Sequence, residues 1–476
     1  MKEGNMKRHN LFKVVMLTVL IATVLTFILP IVSFNDTYGL VADGTKQEVG
    51  VFTLMNYVGE AIHYFGYVGI YVLIVGGLYG VLNKIPAYKK VVDKLVKSFK
   101  KKEWLLIAIL MLFIAGVAAF ANMSIAIIVL FPFVIAVVLA MGYDRITAAL
   151  ATCGSVCAGL MGSALSLNNT YGFDYVIGTT AREGLKFKGL IFVLVVAAMI
   201  VYTVLYAKKH RTEKDVNNEL FVPQATSKSK VKVWPLVVGF DLILILLIIG
   251  FISWKDPLNI NIFTQFHETV NNFSVGGYPI FKNILGLSNA LGTWTLVEAS
   301  VTVMLGAWLI SFIYRVKFND FLTSFMDGCE KALKAAVLVV LIYVVLVIIV
   351  YVPYVLGILK PIIELTDTLN VFTMSFTAFI ASIFGVESYY ASLGTGALPY
   401  AMTVYQDLAA GDLRLMAVIW QSMYGLAMLV APTSVVLMAT LSYLNVPYHK
   451  WLKGVWKVFL VILVLLLAVF LLRTII

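Results

Sequence analysis

Charge is scarce in this chain. Asp, Glu, Lys and Arg make up 13% of its 476 residues against 61% apolar, with a mean hydropathy of +0.94. That balance excludes a soluble globular domain and leaves a polytopic membrane protein. Histidine and cysteine are sparser still. The five histidines (His9, His63, His210, His267, His449) fall in expected loops or span ends, so a membrane-embedded histidine relay or metal site has no material. Cys153, Cys157 and Cys329 have neither metal-ligand spacing nor a disulfide pattern. No Gly-Lys-Ser/Thr phosphate loop is present, which leaves ATP-driven transport unsupported. A membrane-embedded enzyme would need a dense acid and base cluster at an aqueous mouth. The long loops 31–65 and 253–289 offer only scattered acids (Asp36, Asp43, Glu48, Asp256) and the pairs Glu60–His63 and His267–Glu268.

Apolar runs abound. A hydrocarbon core of about 30 Å takes roughly 20 helical residues, and runs of that size lie near 11–30, 66–83, 146–166, 188–207, 233–254, 290–313, 335–356, 413–431 and 455–472. No small-x-small cleavage site follows Pro30, so the first is expected to be a retained span rather than a signal peptide. With the N-terminus in the cytoplasm, the segments 1–13, 84–102, 142–145, 208–232, 314–334 and 443–457 hold 27 of the 36 Lys and Arg, as the positive-inside rule requires. The expectation is a multi-pass protein of the cell inner (plasma) membrane. Basic cytoplasmic loops facing anionic lipid account for the net charge of +11, so the lipid bilayer is a partner and nucleic acid is not. The amphipathic stretch 84–102 is expected to lie on the cytoplasmic face as an interfacial helix.

Two long apolar stretches are interrupted by polar, helix-breaking residues, and the interruptions recur. In the first half an arm from Trp104 to Phe120 breaks at Asn122-Met123-Ser124 and returns through Pro132 to a turn at Asp144-Arg145; the next run breaks at Ser166-Leu167-Asn168-Asn169-Thr170. In the second half an arm from Val371 to Ile383 breaks at Gly385-Val386-Glu387-Ser388 and returns through Pro399 to a turn at Asp412-Leu413-Arg414; the next run breaks at Pro432-Thr433-Ser434. The prolines are 267 positions apart, the aspartates 268 and the arginines 269. On the topology above, the two hairpins enter from opposite sides. The expected fold is therefore an all-α polytopic membrane protein of two inverted repeats, each with a re-entrant hairpin and a broken transmembrane helix, related by a pseudo-twofold axis in the membrane plane. Its parts are 1–207 as first repeat, 208–289 as cytoplasmic linker, connecting helix and external loop, and 290–476 as second repeat.

Broken backbone survives at membrane depth only inside protein or along a water-filled cavity. Half-helix ends there offer free N–H groups to carboxylates and free C=O groups to cations. The four breaks are expected to converge near the midplane, with Asn122, Ser124, Ser166, Asn168, Asn169, Thr170, Ser388, Thr433 and Ser434 as neutral partners for a small-molecule substrate. Three acids fall within spans or hairpins: Asp241, Glu298 and Glu387. An intramembrane carboxylate is a functional candidate by default. Glu387 sits at a hairpin tip and is the expected ion-coupling residue, Glu298 a structural partner, and Asp241 either an interhelical hydrogen bond or a transport group. Gly154, Ala158 and Gly162, at i, i+4 and i+8, read as a close helix-packing stripe.

The runs 159–170 (GLMGSALSLNNT) and 429–438 (LVAPTSVVLM), with 448–453 (YHKWLK) after them, resemble the two broken-helix sites and last loop of the YfcC/DcuC-like carriers of the ion transporter superfamily. The resemblance implies secondary transport, by symport or exchange, of a small carboxylate-bearing metabolite, a dicarboxylate or an amino acid, with no cofactor and with sodium or a proton as coupling ion. It is compatible with a homodimer. A basic amino acid antiporter of the arginine/ornithine type is the alternative, with a channel or a membrane-embedded enzyme behind it.

Overall fold

The computed structural model describes residues 10–35, 39–42, 45–121, 123–163, 173–179, 184–211, 223, 231–255, 258–286, 288–366, 368–405 and 410–475. Among them eight helices are long and apolar enough to cross a membrane. Helix is what such sequences must form, because hydrocarbon offers no partner to an open backbone.

The first repeat runs α1 (Asn10–Ile28), α2 (Val51–Lys84), the amphipathic α3 (Pro86–Ser98), a hairpin of α4 (Glu103–Phe120) and α5 (Phe131–Ala140), then α6 (Arg145–Met161) and α7 (Leu185–Lys209). A connecting α8 (Trp234–Phe251) and a short α9 (Ile262–Asn272) follow. The second repeat gives the same order: α10 (Leu296–Ile313), α11 (Phe318–Tyr351), α12 (Val355–Ile363), a hairpin of α13 (Val371–Gly385) and α14 (Ala397–Val404), then α15 (Ala410–Met428), α16 (Val435–Tyr443) and α17 (Tyr448–Ile475). Helices α2 and α11 are 34 residues each, far longer than the runs 66–83 and 335–356. Nothing in 51–65 or 318–334 stops a helix, so both continue about 20 Å past the hydrocarbon core.

Both hairpins are re-entrant. Tyr143, just after α5, donates its hydroxyl to Glu103 at the start of α4 at 2.8 Å, and Arg211, just after α7, pairs with the same carboxylate. On the second hairpin Tyr405, just after α14, donates to the Ile363 carbonyl at 2.9 Å, ahead of α13. The two bases lie on opposite sides. The start of α8 shares the side of the first hairpin base, since Val233 and Leu236 line one cavity with Tyr88 of α3. Tyr314 at the end of α10 donates to the Lys232 carbonyl at 2.7 Å, so α11 leaves from this first side and delivers α12 and the second hairpin base to the other. The repeats are thus inverted, and the single crossing of α8 is what inverts them.

The tightest joint is between α2 and α11, which are counterparts in the two repeats. A Cβ on Gly80 would stand 2.1 Å from the Ser324 carbonyl oxygen, and one on Gly328 2.1 Å from that of Gly76. Glycine is what lets the two backbones touch. Further along, a Cβ on Gly69 would come within 3.3 Å of the Ala336 carbonyl oxygen. The expected stripe on α6 holds in part: Gly162 seats against Phe192 of α7, with a Cβ 2.5 Å from its backbone, whereas at Gly154 one would meet only side chains, Met199 at 3.5 Å and Leu150 at 3.8 Å.

Candidate binding site

The second hairpin is set by local chemistry at both ends of α13. Asn370 caps its start, its side-chain oxygen accepting from the Phe372 N–H at 2.9 Å. At the tip the Glu387 N–H donates to the Gly385 carbonyl at 2.6 Å across Val386, which has φ 62° and ψ −53°. This is the rare form of γ-turn, strained for a β-branched residue. Packing holds it there, since Val386 is buried and Tyr343 of α11 donates its hydroxyl to Glu387 Oε1. The Tyr343 ring is stacked on Phe65 of α2, centroids 4.2 Å apart. The carboxylate is therefore aimed by both scaffold helices.

Helix α15 stops at Met428, and the chain unwinds until Ser434 caps α16, its hydroxyl accepting from the Leu437 N–H at 3.3 Å. The proline in 429–434 forbids continuation. The carbonyls freed by the break find partners. Trp451 donates its indole N–H to Leu429 O at 2.9 Å, Tyr448 donates its hydroxyl to Val430 O, and Thr433 donates to Ile383 O of α13 at 2.6 Å. On the first hairpin Tyr71 and Tyr79 of α2 donate to the carbonyls of Ala126 and Val129, the latter at 2.7 Å, where the return arm is a 3-10 turn. The end of α6 is held from the other repeat: Ser422 of α15 donates to Met161 O at 2.9 Å and Gln421 donates to Ser163 O.

These pieces enclose a cavity of about 500 Å³. Ser124 from the first hairpin tip, Glu387 and Ser388 from the second, and Ser434 from the break face it, together with Cys157 of α6 and Tyr424 of α15. It extends past Tyr67 to Phe251 and Trp294 at the second-side ends of α8 and α10. Among the described residues its wall carries one carboxylate and no Lys, Arg or His. Of the residues singled out in the sequence, the structure brings together Ser124, Glu387, Ser388 and Ser434. Thr433 stands behind them, its hydroxyl committed to the backbone of α13. Asn122, Ser166, Asn168, Asn169 and Thr170 lie outside the described residues.

Sequence reasoning missed the tyrosines and one ion pair. Tyr343 sits in the apolar run of α11, where only its polar tip hinted at a buried partner. Asp174 and Lys188 form an ion pair and are 3% and 2% exposed. Asp174 falls between the apolar runs 146–166 and 188–207 and Lys188 opens the second of them, and nothing in the sequence joins the two. Glu298 is settled as structural. It completes a capping box with Thr295 at the start of α10, accepting from its N–H at 2.8 Å and from Asn289 at 2.7 Å.

Comparison with known proteins adds to this geometry. An uncharacterized protein of Haemophilus influenzae is 28% identical over 153 residues, which is 30% of this chain and 28% of that protein, so the chain covers under a third of the curated relative it matches. Two solved structures align over 97% of the chain at 11% identity. They are Neisseria gonorrhoeae MtrF, described with a class of antimetabolite efflux pumps (94% of its length, TM-score 0.42), and the Alcanivorax borkumensis YdaH transporter, described as having an unusual topology (98%, TM-score 0.41). The family model of DcuC, the C4-dicarboxylate anaerobic carrier, matches residues 10–475. With all but the ends of the chain inside that match, this chain belongs to the DcuC family of carriers.

Proposed function

We propose that the protein is a secondary active transporter of the inner membrane, N-terminus cytoplasmic, that moves a small carboxylate-bearing metabolite by alternating access. The repeats 1–207 and 290–476 would exchange shapes around the cavity between their hairpin tips and helix breaks. One observation carries the reading: among the described residues that cavity is lined by a single carboxylate, Glu387, by Ser124, Ser388 and Ser434, and by no basic side chain. A substrate carboxylate is served by the hydroxyls and by the N–H groups at the start of α16. Glu387 then needs a cation. For a C4-dicarboxylate, the class that the family description names, a dianion beside an ionised Glu387 repels strongly in a poorly hydrated site. A proton on Glu387 or a sodium ion beside it removes that repulsion and couples the solute to an ion gradient. The same lone carboxylate supports a second reading, an amino acid whose ammonium pairs with Glu387.

The test is Glu387→Gln in proteoliposomes, with uptake of labelled C4-dicarboxylates and amino acids under an imposed proton or sodium gradient. The rate should fall at least about tenfold, the worth of one charged partner, and the residual uptake should lose its ion dependence, with the melting temperature kept. Wild-type rate and ion dependence in the variant would remove Glu387 from the mechanism. Saturation and counterflow in the wild type distinguish a carrier from a channel.

A further inference from the structure

A second cavity of about 530 Å³ lies on the first side, between α3, both arms of the first hairpin and α8. Most of its wall is apolar, with the phenylalanines Phe99, Phe113, Phe133 and Phe240 among its lining. Three polar groups on that wall stand out. Tyr88 of α3 is 3% exposed, yet its hydroxyl has no hydrogen-bond partner among the described residues. Leaving a buried hydroxyl unpaired is costly, and because Tyr88 lines this wall, a turn of its ring toward an occupant of the cavity would pair it. Lys94 of α3 and Asp241 of α8 also line the cavity, and no ion pair among the described residues joins them or engages either one. Asp241 lies seven residues into α8, roughly 10 Å along its axis, where a carboxylate needs a partner. Of the two roles expected for Asp241, an interhelical hydrogen bond or a transport group, the hydrogen bond is absent among the described residues.

An apolar body, a hydrogen-bond acceptor for Tyr88 and Lys94, and a cationic donor for Asp241 describe one common molecule of the bilayer itself. We infer that this cavity binds a single phosphatidylethanolamine, its phosphate against Lys94 and Tyr88, its primary ammonium against Asp241, and an acyl chain along the phenylalanines. The opposite charges of Lys94 and Asp241 select this head group. An anionic lipid leaves Asp241 unserved, and the quaternary ammonium of phosphatidylcholine has no N–H to donate. Because two of the walls are the arms of the first hairpin, an occupant ties that hairpin to α8, which belongs to neither repeat.

The experiment is mass-spectrometric counting of phospholipid retained by protein purified in mild detergent, paired with melting temperatures after adding back phosphatidylethanolamine, phosphatidylglycerol or phosphatidylcholine. Wild type should retain about one phosphatidylethanolamine and be stabilised by that lipid above the others. Asp241→Asn and Lys94→Gln should each cut retention about tenfold, as the loss of a charge-assisted contact does. Tyr88→Phe, which preserves packing, should weaken retention less. Lys101→Gln, outside the cavity, should change nothing. Equal retention in Asp241→Asn, equal stabilisation by phosphatidylglycerol, or a matching loss in Lys101→Gln would each overturn the site in favour of general attraction to the surface.

Discussion

Val386 is held in a left-handed turn that costs a β-branched residue about 1–3 kcal/mol, and its neighbour Glu387 is the one carboxylate among the described residues of the cavity wall. That strain reverses an ordinary expectation. Val386→Ala loses two buried methyl groups and keeps the strain, whereas Val386→Gly loses those groups and the Cβ as well but is relieved of it. The glycine variant should melt at the higher temperature of the two, while both transport more slowly as Glu387 loses its support; a less stable glycine variant would refute the strain. The buried pair of Asp174 and Lys188 makes a second prediction. Asp174→Asn strands a cation and should destabilise the protein by about 3–5 kcal/mol, while Asp174→Asn with Lys188→Met should recover most of that in thermal melts. Glu387 was legible in the sequence because it is the one acid between Asp367 and Asp407. The γ-turn was not, since valine carries no signal for positive φ, nor was the ion pair, which only tertiary packing brings together.

At the scale of elements, the helix breaks were readable because Pro-Thr-Ser and the hairpin polar runs interrupt apolar stretches. What satisfies them was not. The run 448–453 read as a basic-aromatic loop; it is the first turn of α17, and it turns Tyr448 and Trp451 back onto the carbonyls of 429–430. A carbonyl left unpaired there costs about 1–3 kcal/mol. Trp451→Phe keeps the ring and removes the donor, so it should lower stability by that order and slow transport, whereas Trp456→Phe, on the exposed face of the same helix, should do neither. Equal behaviour of the two variants would show that the indole N–H is dispensable. The tyrosines that brace the first hairpin were hidden for a similar reason. In a span, a tyrosine looks the same whether its hydroxyl reaches water, lipid head groups or a broken backbone.

For the whole molecule, the repeats were legible from four landmarks recurring in order and from the distribution of lysine and arginine. Their contacts were not, because offsets carry no distances. The turn at Asp144 and the helix start at Asp412 are equivalent places in opposed repeats, so cysteines introduced there should react with a membrane-impermeant reagent from opposite sides. Cys153 and Cys157 are buried and can stay, but Cys329, only partly buried, is best replaced by serine first. Labelling of both positions from one side would contradict the inversion.

Gly69 and Ala336 are 267 positions apart, the same interval that separates Pro132 from Pro399, and they touch. A residue that meets its own counterpart can do so only on the axis that relates the halves. If the halves trade conformations during turnover, every other contact between them has a partner to become, but this one becomes itself. On that proposed cycle it would be the stationary point, a fulcrum between the halves, with the displacement left to the hairpins and broken helices about it.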